Sequence, residues 1–369
     1  QLLTYYGTFH ITTHEQRQVT RIVLIAKAHL IEFYVKCGFA VTKLSPVVHG
    51  KDLWFELAID CTTARRLPII QVDAFSADIF DGNPAAVVMM PPTQFHKANA
   101  SQWMQKVAME NNLSNTAFFT RRESAGAATA VAVADVVEYD LRWFTPQVEV
   151  PLCGHATLSS AFVLYEDGHV PLTSTIHFHT LRSGVLVCRF EKATSADGKE
   201  KKLILMDFPT SAVQSVDESV TKEILASGLG ISAATIQAVK RTAITDVLAH
   251  IDVEAFSSLE PDFQKLAEVV ARGIIVTAEY PDKATDLDFQ SRFFAPRIGI
   301  NEDPVTGSAH CALATYWSDL FGKKHLYAKQ ACPSRGGFLA LELPEDRPGR
   351  VFIKGEAVLS LRGVLLTAP

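Results

Sequence analysis

The chain has 369 residues, 48% of them hydrophobic, and its 35 basic and 40 acidic side chains leave a net charge of −5. That balance gives no electrostatic case for a nucleic-acid or membrane-surface partner, and no apolar run reaches the roughly 18–20 residues of a spanning helix. The length predicts two or three domains, and six cysteines without CxxC spacing suit a reducing compartment, so a cytoplasmic setting is expected.

Residues 1–67 read as a segment of their own. A helix is predicted from about Arg17 to Lys36 on Ile22, Leu24, Ile25, Leu30, Phe33 and Tyr34, ending at Cys37-Gly38, where glycine suits a C-cap. Strands are predicted from Phe39 to Lys43 and from Leu53 to Leu57, around a turn at 49–52. Leu67-Pro68 marks a boundary. Beyond it, strands near 69–75 and 85–90 flank the turn Asp81-Gly82-Asn83-Pro84. A helix over 99–112 and strands near 115–120 and 136–145 follow.

Residues 154–165 then form a helix without a charge until Glu166, and a helix with no polar face is one enclosed by protein on every side. Strands follow near 174–179, 184–190 and 202–208. Next come helices near 218–228 and 261–271, with strands near 245–251, 273–278 and 287–294. A second charge-free helix begins at Thr306-Gly307-Ser308 and carries only His310 as far as Trp317. Strands near 326–331, 337–343 and 350–361 end the chain. His177-x-His179 would face one side of a strand, but without a third ligand no metal site is expected.

The two enclosed helices share an introduction. Arg142-Trp143-Phe144-Thr145-Pro146 precedes the first and Arg292-Phe293-Phe294-Ala295-Pro296 the second, about one domain length apart. Repetition of both the motif and the Gly-led helix start predicts duplicated halves, with ligands bound in the cleft between them. The free N–H groups of a helix start, at the positive end of its dipole, suit an anion.

Two families are resembled. Leu30 to Phe39, Ser45-Pro46-Val47-Val48-His49-Gly50 and Trp54-Phe55-Glu56-Leu57 resemble the C-terminal part of GNAT N-acetyltransferases, most of all the arylalkylamine group. By that resemblance Tyr34 would protonate a departing coenzyme A thiolate, although the family's Gly-rich acetyl-CoA loop does not occur in residues 1–30. Acetyl-CoA is therefore expected only with an upstream acetyltransferase half. The chain starts at Gln1, which also leaves an upstream targeting peptide open.

From 68 to 361, Gly82-Asn83-Pro84, Asn112-Leu113-Ser114, Arg142 to Pro146, Pro151-Leu152-Cys153-Gly154-His155 and Glu302-Asp303-Pro304-Val305-Thr306-Gly307-Ser308 closely resemble the PhzF-like, or phenazine-biosynthesis-like, family. These are relatives of diaminopimelate epimerase. The resemblance implies an α+β, epimerase-like fold of two pseudo-symmetric halves, 68–200 and 201–369, each a mixed sheet around a central helix, behind a partial GNAT α/β segment. It implies a cofactor-free isomerase moving a proton on a small carboxylate, often as a homodimer. His155, Asp303 and Ser308 match catalytic positions, with Asn83, Gly154, Thr306 and Gly307 expected at the substrate.

Each also has a plainer reading. His155 could cap a helix, Asp303 could satisfy a dipole, Ser308 could bond its own helix, and Gly307 could serve packing. Asn115 stands where the family carries its acid/base Glu, and an amide transfers no proton at ordinary pH. A two-thiol racemase is not expected, since Cys153 has no cysteine counterpart at Asp303-Pro304-Val305. Two further readings follow: a bifunctional or truncated acetyltransferase fusion, and an inactive protein that binds a small molecule or a partner.

Overall fold

The structure, a computed structural model, describes residues 21–36, 39–46, 53–60, 66–122, 136–194, 198, 200–216 and 220–369. The chain divides into two compact units, one built on residues before Pro68 together with 364–368, the other on 68–363.

In the first unit, strands β1 (Arg21–Lys27), β2 (Ala40–Leu44) and β3 (Trp54–Asp60) form an antiparallel sheet with β3 in the middle, and helix α1 (Ile31–Lys36) follows β1. Of the helix expected from Arg17 to Lys36, residues 17–20 lie outside the described residues, Arg21–Lys27 is a strand, and Ile31–Lys36 is α-helical. Residues 21–27 pair one for one with β3, from Arg21↔Asp60 to Lys27↔Trp54. Leu24 and Ala26 alternate inward against Leu57 while Val23 is exposed, a period of two that a distant partner strand imposes on a segment rich in β-branched residues. The cap at Cys37-Gly38 and the turn at 49–52 lie outside the described residues.

The second unit repeats one topology twice. The first copy runs β4 (Leu67–Ala74), β5 (Asn83–Met89), α2 (Pro92–Phe95), α3 (Ala100–Asn111), β6 (Asn115–Arg121), β7 (Val136–Phe144), β8 (Glu149–Val150), α4 (Gly154–Glu166), β9 (Thr175–Thr180), β10 (Val185–Thr194) and β11 (Glu200–Pro209). Then come β12 (Val213–Ser215), α5 (Lys222–Leu229), β13 (Ile236–Thr242), β14 (Val247–Ile251), α6 (Val253–Ser257), α7 (Phe263–Glu268) and β15 (Ile274–Glu279). The second copy ends with β16 (Phe289–Ala295), β17 (Ile300–Asp303), α8 (Gly307–Phe321), β18 (His325–Gln330), β19 (Gly337–Glu342) and β20 (Arg350–Gly355), followed by β21 (Ala357–Leu365).

Across β4-β5-β6-β7-β9-β10-β11 the pairings are antiparallel, parallel, antiparallel, parallel, antiparallel, antiparallel. Across β13-β14-β15-β16-β18-β19-β20 the sequence of pairings is the same. The copies join where β11 pairs antiparallel with β20, so the first repeat extends through Pro209. Strand β13 was not foreseen because Gln237, Lys240 and Arg241 interrupt its apolar alternation. The strand expected over 350–361 is two, divided at Glu356.

Both charge-free helices are enclosed as their composition demands. Every residue from His155 to Tyr165 is buried, and Thr157, Ser159 and Ser160 satisfy their hydroxyls on the carbonyls of Cys153, His155 and Ala156. In α8, His310 Nδ1 lies 2.9 Å from Thr306 O, and Trp317 stacks on Phe289 while donating to Thr277 Oγ1 at 2.9 Å. Leu158 and Phe162 of α4 share one continuous core with Leu313 and Trp317 of α8. A second core, with Leu225, Phe256 and Leu266 of α5, α6 and α7, covers the other face of β14 and β15. Sheet residues alternate between the two, Leu248 and Ile275 to one core, Ala249 and Val276 to the other.

Candidate active site

The repeated Arg motif has the same structural role in both halves. Arg142 donates from Nε and Nη2 to Glu149 of β8 at 2.7 and 2.8 Å, and Arg292 makes the same two bonds to Glu302 of β17, again at 2.7 and 2.8 Å. Each guanidinium lies over the Phe two residues on, at 5.2 Å from Phe144 and 5.0 Å from Phe294. A two-toothed clamp therefore fixes the short strand that delivers the chain to each enclosed helix. Strand alternation separates the acidic pair: Glu302 turns to its clamp and Asp303 turns inward.

The helix starts meet. A Cβ built on Gly154 would lie 3.4 Å from Gly307 Cα, and one built on Gly307 would lie 3.5 Å from Gly154 Cα. Only backbone separates the two first turns. Thr306 does not bond through its side chain to the first-turn amides of α8, and at α4 only the weakly accepting Cys153 sulfur faces the amides of His155 and Ala156. Those N–H groups and both dipoles converge on one place.

A hydrogen-bonded chain crosses the junction. Asn83, fully buried, donates from Nδ2 to Asp303 Oδ1 and to Val305 O, both at 2.8 Å. Its Oδ1 accepts from Ser114 Oγ at 3.1 Å, and that hydroxyl lies 3.2 Å from His155 Nε2. Thr306 donates to Asp303 Oδ2, while buried Gln330 donates to Asp303 O and accepts from Thr306 N. The polarity is self-consistent if His155 carries its proton on Nε2 and takes a weak S–H contact from Cys153, 3.5 Å from Nδ1. Asn83 and Thr306, expected at the substrate, are thus engaged with Asp303.

Burial sets the protonation states. It lifts the Asp303 carboxyl from 3.8 to about 6, outweighing the bonds from Thr306 and Asn83 and the charge of Arg272. It pushes the His155 imidazole down to about 3 and that of His310 to about 4, so both are neutral at physiological pH. The Cys153 thiol is pushed up by burial, with Asp303 adding to the shift, so it stays protonated.

Asn115, which follows Ser114, shares a face of β6 with core residues Ala117 and Phe119. It is 8% exposed, and among the described residues its Nδ2 has no hydrogen-bond partner. Ser308, the second residue of α8, accepts from Arg272 Nη2 at 3.1 Å rather than bonding only to its own helix. The sequence did not single out Arg272, Gln330 or the bridging role of Ser114.

Away from this junction, His179 Nε2 lies 3.3 Å from Glu138. In the N-terminal unit the half-buried Tyr34 packs edge-on against Phe33 and Phe39, at 5.2 and 5.9 Å.

Two alternating mixed sheets, each around one enclosed helix, with the helix starts abutting, define a diaminopimelate epimerase-like α+β fold. A predicted epimerase from Pseudomonas aeruginosa shares it at a TM-score of 0.60 and 22% identity, covering 82% of this chain and 99% of that one. The family model for phenazine biosynthesis-like proteins matches residues 72–363, and the chain belongs to that family. It is 41% identical over 300 residues to an uncharacterized isomerase of Halalkalibacterium halodurans, covering 81% of this chain and 98% of the relative. Against a human phenazine biosynthesis-like domain-containing protein it is 37% identical over 319 residues, covering 81% and 99%. A crystal structure of a PhzF-family protein from Enterococcus faecalis superposes with a TM-score of 0.64 at 35% identity, over 81% and 99% of the chains.

Proposed function

We propose that the chain is an isomerase that moves a proton on a small carboxylate, with Asp303 as its single acid/base. The observation that carries this reading is a carboxyl bonded to Asn83 and Thr306 beside two abutting helix starts, where burial raises its pKa to about 6. At neutral pH most Asp303 side chains are ionised yet basic enough to take a proton, the poise general acid/base catalysis needs. Asn83 and Thr306 each occupy one lone pair of a carboxylate oxygen, so acceptor capacity remains.

The substrate C–H bond breaks, its proton passes to Asp303, and the electron pair moves toward the substrate's own carbonyl oxygen. First-turn N–H groups of α4 and α8, with Asn115 Nδ2, suit the oxyanion that forms. Asp303 then returns the proton to a second carbon on the same face. Neutral His155 is too weak a base to compete, and holds Ser114 and, through it, Asn83. Asn115 therefore leaves the proton transfer to the opposite half.

The test is exchange of substrate C–H with deuterated solvent across a panel of amino and cyclic carboxylates. Exchange by the wild-type chain that is lost in Asp303→Asn supports the reading, and exchange that survives the substitution overturns it. The open amide of Asn115 also favours a second reading, a ligand-binding protein without turnover. That reading expects exchange only after Asn115→Glu.

A further inference from the structure

The repeat places a second, unassigned residue at the same junction. Phe118 of β6 pairs with the clamp residue Arg142, and Val276 of β15 pairs with its counterpart Arg292. Four residues before each stand Ser114 and Arg272. Ser114 reaches His155, the second residue of α4, and Arg272 reaches Ser308, the second residue of α8. One position in the fold thus serves each helix start, with a hydroxyl in one half and a guanidinium in the other.

The guanidinium is held on three sides. Asp246, whose side chain is wholly enclosed, accepts from Nε at 2.8 Å and from Nη2 at 2.5 Å. The ring of Phe293 lies 5.5 Å away, and Ser308 takes a second bond from Nη2. Among the described residues Nη1 has no hydrogen-bond partner, and the Arg272 side chain is 34% exposed. Asp246 and Ser308 use only Nε and Nη2, which leaves the exposed Nη1 edge open to solvent or to a ligand. Its charge is felt at Asp303, where it works against the upward shift caused by burial.

We infer that Arg272 receives the substrate's carboxylate on its free Nη1 edge, so that the ligand's acid group lies at the α8 end and the reacting carbon lies beside Asp303. This rests on the proton-transfer reading above and assigns to Arg272 the discrimination of a free carboxylate from its amide. A pre-oriented guanidinium with a spare N–H edge suits such a group, and a flexible ammonium would reproduce the charge but not the geometry.

Calorimetric titration of the full chain with matched pairs, benzoate against benzamide and proline against prolinamide, tests the inference. The wild-type chain should bind at least one carboxylate about 10-fold more tightly than its carboxamide, on the scale of one charge-assisted hydrogen bond. Arg272→Gln should bring that preference to within about two-fold, and Arg272→Lys should keep an intermediate preference. General destabilisation would weaken both members of a pair alike and leave their ratio unchanged. A preference retained in Arg272→Gln, or no preference in the wild-type chain, overturns the assignment. Asp303→Asn separates the two claims: exchange should fall by about 10³-fold while a carboxylate preference of at least the wild-type size remains, and exchange persisting there removes the catalytic reading alone.

Discussion

The two repeats share strand order, clamp and helix start, but they present different chemistry at the junction. Around α4 stand an imidazole whose basicity burial lowers, a hydroxyl and an amide, His155, Ser114 and Asn115. Around α8 stand a carboxyl with a raised pKa and a guanidinium fixed by a buried aspartate, Asp303 and Arg272. Duplication gave both halves the same anion-seeking backbone. In the mechanism we propose, the proton and the charge fall to one half, and the other supplies hydrogen bonds and a wall.

The sharpest way to break this asymmetry is Asp303→Asn. An amide oxygen still accepts from Asn83, and the Thr306 hydroxyl can turn to accept, so the fold should persist. Proton exchange should fall by about 10³-fold, within the range of general acid/base catalysis. A loss of less than about ten-fold would place the acid/base elsewhere.

The clamps offer the next largest contrast. Arg292 and Glu302 are 9% and 12% exposed, and Arg142 and Glu149 are 12% and 31% exposed. Arg292→Ala strands a buried carboxylate and should cost about 3–5 kcal/mol of unfolding free energy. Arg142→Ala, whose partner reaches water, should cost about 1–2 kcal/mol. Equal urea midpoints for the two variants would remove the distinction.

The buried histidines belong to both halves and give a pH signature. Above pH 6.5 neither folded nor unfolded chain protonates them. Below it the unfolded chain takes protons that folded His155 and His310 refuse until about pH 3 and 4, so each lowers stability by about 1.4 kcal/mol per pH unit. Asp303 acts in the opposite sense between about pH 6 and 3.8, where the folded chain holds the extra proton, and offsets one of these slopes. His310→Gln should therefore be less stable than wild type at pH 7.5, with the gap narrowing by about 1.4 kcal/mol per unit from pH 6.5 to 4. A gap constant with pH would contradict a neutral His310.

Ser114→Ala should have the smallest effect. It removes the bond to Asn83 and the contact with His155, about 1 kcal/mol of stability. Exchange should slow a few-fold, because Asp303 keeps Asn83 and Thr306.

What was legible in the sequence was whatever one segment decides for itself. Charge-free runs identified α4 and α8 as enclosed, because no polar face survives along them. The echoed Arg motifs announced two halves, because clamp, aromatic and helix start lie within a few residues of one another. The partners that tune the site were not legible. Asn83 reaches Asp303 across 220 positions, and Arg272 aligns with Ser114 only by counting along paired strands, since their linear distances to the clamps differ. The same dependence on a distant partner made β1 a strand where local pattern suggested a helix.

The shared core has a practical corollary for anyone cutting this polypeptide. Side chains of α4 and α8 fill one interior, and β11 finds a neighbour in β20, so neither repeat can shelter its apolar surface when produced alone. Fragments severed between β11 and β12 should precipitate individually and reassemble when co-expressed, with the antiparallel seam as their template.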